Sequence, residues 1–187
     1  MEIIEIFKYP IFKIKLNENL KTIIDFSKKL EKNTGRTLSN VGGFQSKDLD
    51  INEPVLTSLI KNVTEYSNLF LNKHLQINKN LSLVNIWLNI NYFKDFNLPH
   101  IHSFSKISGV FYVKTPKNCG NINFINDSNL TAFISSDLIT NYNNYNSSKW
   151  SFVPEENILY LFPSYFNHYV EPNLSKDKRI SISFNLN

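Results

Sequence analysis

After a short alternating start, apolar residues recur at helical spacing in two stretches up to residue 75, and from residue 83 they recur with a period of two. At the start, Phe12, Ile14 and Leu16 alternate with Lys13 and Lys15, and a period of two predicts a short strand. Over 17–31 the spacing lengthens. Leu20, Ile23, Ile24, Phe26 and Leu30 recur as on one face of a helix, and Gly35 stands just past its end. Residues 36–50 read as a loop with a Gly42-Gly43 turn. A second helical period over 54–75 runs through Leu56, Ile60, Val63, Tyr66, Leu69, Phe70 and Leu75, with Pro54 suited to a first turn.

From Leu83 the period becomes two. Asn85, Trp87, Asn89 and Asn91 alternate with Ile86, Leu88, Ile90 and Tyr92. Further strand-like runs cover 107–114, 121–125, 132–135, 157–162, 168–171 and 179–186, with turn signals between them at 115–118, 126–129, Pro154, Pro163-Ser164 and Pro172-Asn173. Many short strands at close spacing predict a barrel or sandwich. The polar, asparagine-rich stretch 136–149 is the expected mobile loop. The chain is therefore expected to be mainly β with N-terminal helices. Its 187 residues suit one domain over 1–187, with a helical support over 1–82 packed outside a β core over 83–187.

Composition narrows the function classes. The net charge of +4 comes from scattered lysines rather than a basic run, which argues against nucleic acid as partner. A single cysteine, Cys119, excludes an internal disulfide and a cysteine-based zinc site; an inert thiol is its expected state. The N-terminus has no basic region followed by a long apolar one, and no apolar run is long enough for a bilayer span, so no membrane partner and a cytoplasmic location are expected. Oligomeric state leaves no mark in the sequence.

Chemistry concentrates on histidines. Of the four, His74 closes a helical segment beside Lys73, where a surface or C-terminal role is expected. His100 and His102 form a His-x-His pair. In extended backbone, positions i and i+2 point to the same side, so both imidazoles can reach one ion. His168 opens a later strand-like run that a barrel can bring opposite. Three ligands on one face of a metal leave open positions for a co-substrate and O₂, the logic of facial-triad iron oxygenases. Farther on, Arg179, Ser181, Ser183 and Asn185 alternate with Ile180, Ile182, Phe184 and Leu186. A solvent-facing polar stripe gives the same alternation. If that face instead looks inward, the planar guanidinium of Arg179 can grip a carboxylate with two hydrogen bonds.

Taken in order, NIWLNINYF (85–93), HIHSFSKISGVFYVKTP (100–116), CGNINFIND (119–127), LYLFPSYFNHYVEPN (159–173) and RISISFN (179–185) resemble the 2-oxoglutarate/Fe(II) oxygenase superfamily. Within it they resemble a family of 2OG-Fe(II) oxygenases from marine bacteria and phages, whose N-terminal signature is similar to SNVGGFQSKDLD (39–50). The resemblance implies a double-stranded β-helix, a jelly-roll, cupin-like barrel. It also implies Fe(II) as cofactor, 2-oxoglutarate as co-substrate, and hydroxylation of an unknown small molecule or protein side chain with decarboxylation of 2-oxoglutarate to succinate. His100 matches the first iron ligand and His168 the distal one. Arg179 matches the residue that binds the distal carboxylate of 2-oxoglutarate, with Ser181 and Tyr112 beside it; Trp87 and Asn89 match a strand lining the substrate pocket. No catalytic residue beyond the metal ligands is implied. The superfamily pattern has Asp or Glu where this chain has His102. His102 is the expected ligand because i+2 is the natural position, with Asp95 and Asp127 as alternatives should their loops fold inward. Two other readings stay open: a three-histidine iron oxygenase that does not use 2-oxoglutarate, and a non-catalytic cupin-like binding protein.

Overall fold

The computed structural model of the chain describes residues 2, 4, 10–128 and 135–187. The strand expected at 132–135 lies, apart from Ser135, outside the described residues.

The first helix, α1 (Leu20–Leu30), starts at Asn19, whose side-chain oxygen accepts the Thr22 N–H at 3.4 Å. That satisfies one of the donors a first turn leaves open. The second helical period is a single run in sequence but three pieces in space: a 3₁₀ turn at Pro54–Leu56, helix α2 (Thr57–Leu69) and a π turn at Phe70–His74. In the π turn the Leu75 N–H donates to the Phe70 carbonyl, 3.1 Å away and five residues back. The wider turn lets the consecutive Phe70 and Leu71 both face inward. His74 is exposed at its end, with its ring 5.1 Å from that of Phe12.

The strands are β1 (Phe12–Lys15), β2 (Asn40–Val41), β3 (Phe44–Gln45), β4 (Leu83–Asn91), β5 (Phe96–His100), β6 (Ile107–Lys114), β7 (Ile122–Ile125), β8 (Lys149–Phe152), β9 (Ile158–Pro163), β10 (His168–Val170) and β11 (Arg179–Leu186). Among the described residues they form two antiparallel sheets. One has the order β1-β9-β6-β11-β4-β3, the other β2-β5-β10-β7-β8. This is the jelly-roll arrangement, mainly β with few helices. β2, β3, β5 and β8 go beyond the expectation from sequence. β2 and β3, two residues each, replace part of the loop expected at 36–50. Alternation cannot show in two residues, and Pro99 in β5 disguises that strand as a loop.

The period of two decides what each face of the larger sheet meets. Ile86, Leu88, Ile90, Phe111, Leu159, Leu161, Ile182 and Phe184 point outward and pack on Ile23, Leu56, Leu59, Val63 and Phe70 from the helical segments, forming the main core. The opposite faces of these strands look toward the smaller sheet. Val110, Tyr112, Tyr160 and Phe162 meet Ile122, Phe124 and Phe166 in a second, smaller core there. The polar positions of β4 and β11 face the same interior, so that stripe is turned away from solvent. Register aligns them: Arg179 opposite Asn91, Ser181 opposite Asn89, Ser183 opposite Trp87 and Asn185 opposite Asn85. On the other flank of β11, Ser181 lies opposite Tyr112 of β6. No helix among the described residues is long and apolar enough to cross a membrane.

Candidate metal centre

Strand pairing places the histidines. His168, first residue of β10, sits directly opposite His100, last residue of β5. His102 lies two residues beyond His100 and is fixed by its backbone N–H, which donates to the Ser164 carbonyl at 2.9 Å. One potential ligand nitrogen from each of the three rings lies within 4.8 Å of the other two. Ring centroids are 4.4 Å apart for His100 and His168, and 5.1 Å for each of the other pairs.

Two rings are oriented by the same local device. His100 Nδ1 is 2.7 Å from the Leu98 carbonyl and His168 Nδ1 is 2.8 Å from the Phe166 carbonyl, in each case two residues upstream. A carbonyl only accepts, so both Nδ1 atoms carry the proton and Nε2 presents its lone pair. Burial, and secondarily the neighbouring rings, push the His168 imidazole down to about 3 and that of His102 down to about 4; burial lowers His100 as well. The three are neutral at pH 7, which is the form that binds a metal.

The alternative carboxylates lie elsewhere. The Asp95 carboxylate accepts the Tyr92 N–H at 2.7 Å and packs under the Gly42-Gly43 turn. Asp127 accepts from the Asn167 side chain at 3.3 Å on the surface. Among the described residues neither joins the imidazole cluster, which consists of His100, His102 and His168 alone.

The same cavity, about 510 Å³, reaches Arg179, Tyr112 and Ser181. Arg179 is 1% exposed. Its Nη1 donates to the carbonyls of Cys119, Gly120 and Glu171, and its Nε to the Asn91 side chain at 3.4 Å. Among the described residues its Nη2 has no partner, and neither does the buried hydroxyl of Tyr112. Burial raises the pKa of Tyr112, which keeps its phenol proton; burial lowers that of Arg179, but a guanidinium starts so far above neutrality that it stays protonated, so both are donors. A buried guanidinium that meets carbonyls but no carboxylate is strongly attractive to an anion. The donor sets therefore fit both groups the resemblance implies: three imidazole nitrogens for a divalent metal, and a guanidinium with a phenol for a carboxylate.

Trp87 and Asn89 line the cavity from β4. The Trp87 ring is 5.8 Å from that of His102, and the Asn89 amide donates to Ser183 Oγ at 3.1 Å. Three further polar residues reach the cavity from the segment before α2, Arg36, Ser39 and Gln45, together with Leu38. Ser39 Oγ is 3.4 Å from His100 Nε2. Sequence patterning assigned these no role, although Ser39 and Gln45 stand inside the SNVGGFQ string that carried part of the resemblance.

Comparison with known proteins agrees with this arrangement. Residues 85–185 match the family described as "Putative 2OG-Fe(II) oxygenase". No curated protein sequence matches the chain. Among solved structures, a Pseudomonas putida prolyl-4-hydroxylase superposes with a TM-score of 0.67 at 12% identity, over 95% of this chain and 92% of that one. The viral collagen prolyl hydroxylase of Paramecium Bursaria Chlorella virus-1, solved as a 2OG complex, gives 0.62 at 13% identity, over 96% of both chains. The alpha-ketoglutarate-dependent epimerase SnoN from nogalamycin biosynthesis gives 0.71 at 10% identity, over 95% of this chain and 76% of that one. At such identities these likenesses establish the jelly-roll fold. The family match, which spans more than half of the 187 residues and contains all three clustered histidines and Arg179, establishes that the chain belongs to the 2OG-Fe(II) oxygenases, enzymes that work with iron(II) and 2-oxoglutarate.

Proposed function

We propose that the protein hydroxylates a small molecule or a protein side chain, with His100, His102 and His168 as the iron ligands. Arg179, Tyr112 and Ser181 hold the distal carboxylate of 2-oxoglutarate, and Trp87 and Asn89 face the substrate. Iron(II) bound there supplies the oxidative decarboxylation of 2-oxoglutarate to succinate and the oxygenation of a substrate C–H bond. The chain's own residues orient the reactants and keep water out. The backbone carbonyls of Leu98 and Phe166 fix the tautomer of two ligands and aim their Nε2 atoms. With no carboxylate among the ligands, the protein offsets none of a divalent ion's charge, which favours a dianionic co-substrate. The observation that carries this reading is the pair of unpartnered buried donors, Arg179 Nη2 and the Tyr112 hydroxyl, in the cavity that holds the imidazole cluster.

The test is succinate formation from 2-oxoglutarate by the iron-reconstituted protein, together with calorimetric titration of 2-oxoglutarate. Stoichiometric divalent metal, measurable 2-oxoglutarate binding and succinate release, even uncoupled from a substrate, support it. The all-histidine ligand set favours one competing reading, an iron oxygenase that does without 2-oxoglutarate and uses Arg179 for the substrate's own carboxylate. Metal binding without 2-oxoglutarate binding would select that competitor. Failure to bind metal would leave a non-catalytic binding protein.

A further inference from the structure

One row of polar side chains crosses the floor of the cavity from strand to strand. Tyr112 lies opposite Ser181, Ser181 opposite Asn89, and Asn89 opposite Gln45. The Arg36 N–H donates to the Gln45 carbonyl at 2.8 Å and extends the row to the sheet edge. The far end repeats the feature seen at Arg179. Gln45 is 3% exposed, and its side-chain oxygen has no hydrogen-bond partner among the described residues. Arg36 Nε is buried and also without a partner. Both residues line the cavity, and both lie outside the segment 85–185 that matches the family.

We propose that Arg36 and Gln45 form the subsite for the primary substrate, and that the group they take is a neutral amide. This rests on the reading above only in taking the imidazole cluster as the reaction centre. The charge balance selects the class. Arg36 Nη2 already donates to the Asp48 carboxylate at 2.7 Å, so this end of the cavity carries no unmatched positive charge, unlike the Arg179 end. Of the fully buried atoms of these two residues, those without a partner among the described residues are one N–H donor, Arg36 Nε, and one carbonyl acceptor, the Gln45 side-chain oxygen. An amide, with its own C=O and N–H, complements that pair; a carboxylate offers only acceptors, and an ammonium only donors. Among the described residues the cavity lining contains no Asp, Glu or Lys to serve as counter-charge for a cationic substrate. Trp87 joins the subsite to the metal centre. The Arg36 guanidinium lies 5.7 Å from its ring, and His102 lies 5.8 Å away. A planar amide can stack on that ring with its substituent directed at the imidazoles.

The experiment uses the full chain with Zn(II) in place of iron and 2-oxoglutarate present, so that binding is measured without turnover. Propionamide, propionate, propylammonium and a capped dipeptide amide are titrated by saturation-transfer difference NMR. The amides are expected to bind, and propylammonium is not. Gln45→Leu should weaken amide binding at least tenfold; so should Arg36→Lys, which keeps a cation for Asp48 but removes the Nε donor. Tighter binding of the dipeptide than of propionamide assigns the amide to a peptide chain, and the reverse assigns it to a small molecule. Equal or tighter binding of propionate, no binding of either amide, or unchanged amide binding in both folded variants overturns the proposal. Calorimetry of 2-oxoglutarate on the same samples separates the two readings. Lost 2-oxoglutarate binding counts against the assignment of the centre, whereas retained 2-oxoglutarate binding without amide binding counts against the subsite alone.

Discussion

A guanidinium taken out of water loses several kcal/mol of hydration unless its N–H groups are satisfied. Arg179 meets three carbonyls and one amide oxygen and still leaves Nη2 open beside the open hydroxyl of Tyr112. Two predictions follow from that geometry. Arg179→Lys keeps the charge but loses the planar fork, and charged hydrogen bonds contribute about 1.5–3 kcal/mol each. Its affinity for 2-oxoglutarate should fall at least tenfold while metal content stays at the wild-type level, as read by calorimetry and metal analysis. Loss of metal as well would show that Arg179 supports the imidazole cluster rather than the co-substrate. Tyr112→Phe removes a buried hydroxyl that has no partner among the described residues. The ligand-free protein should melt at the same temperature or higher, while the rise in melting temperature on adding 2-oxoglutarate shrinks. A destabilised ligand-free variant would mean that the hydroxyl already has a structural partner. At this scale the histidines and Arg179 stand out in sequence because their chemistry is rare in this chain and alternation puts them on definable faces. Arg36 and Gln45 do not, because an unpartnered nitrogen or oxygen exists only once the surrounding atoms are in place.

Strands show in sequence in proportion to their length. β6 and β11 have the bounds expected from the sequence; in β11 eight residues of strict alternation with one apolar face leave no ambiguity of register. β2 and β3 carry no period, yet they close one side of the cavity: β2 pairs with β5 of the smaller sheet, and β3 with β4 of the larger. The Gly42-Gly43 turn between them is therefore a tie across the two sheets. Both glycines have positive φ, +72° and +68°. A Cβ on Gly43 would stand 2.5 Å from the Ile90 carbonyl oxygen. Gly43→Ala should cost at least about 1 kcal/mol from the left-handed backbone alone, with the clash in addition. For a chain of 187 residues that is a drop in melting temperature of roughly 2–4 °C per kcal/mol. Because Ser39, Arg36 and Gln45 hang on this tie, 2-oxoglutarate turnover should fall more than 2-oxoglutarate affinity does. An unchanged melting temperature would show that the turn relaxes freely and does not fasten the sheets.

Across the whole molecule, one buried and two half-buried imidazoles are held against one another with no acid among them in the described residues, and that makes stability depend on pH in a definite direction. An unfolded histidine titrates near 6.5. In the fold, His102 is held down at about 4 and His168 at about 3, mainly by burial, and His100 is lowered as well. Below about pH 6.5 the unfolded chain therefore binds more protons than the folded one, and the free energy of unfolding falls as pH falls. The slope is about 1.4 kcal/mol per pH unit for each proton of difference. The ordinary carboxylate range lies below this window, so between pH 7 and 5 the imidazoles dominate. The metal-free protein should lose melting temperature steadily from pH 7 to 5, and His168→Asn should flatten the slope. Zn(II) should raise the melting temperature at pH 7 by an amount that shrinks across the same window, because metal and proton compete for the same lone pairs. A metal-free melting temperature that is flat from pH 7 to 5 would mean that these rings take up protons as freely as in water, which a buried imidazole pressed against two half-buried ones cannot do.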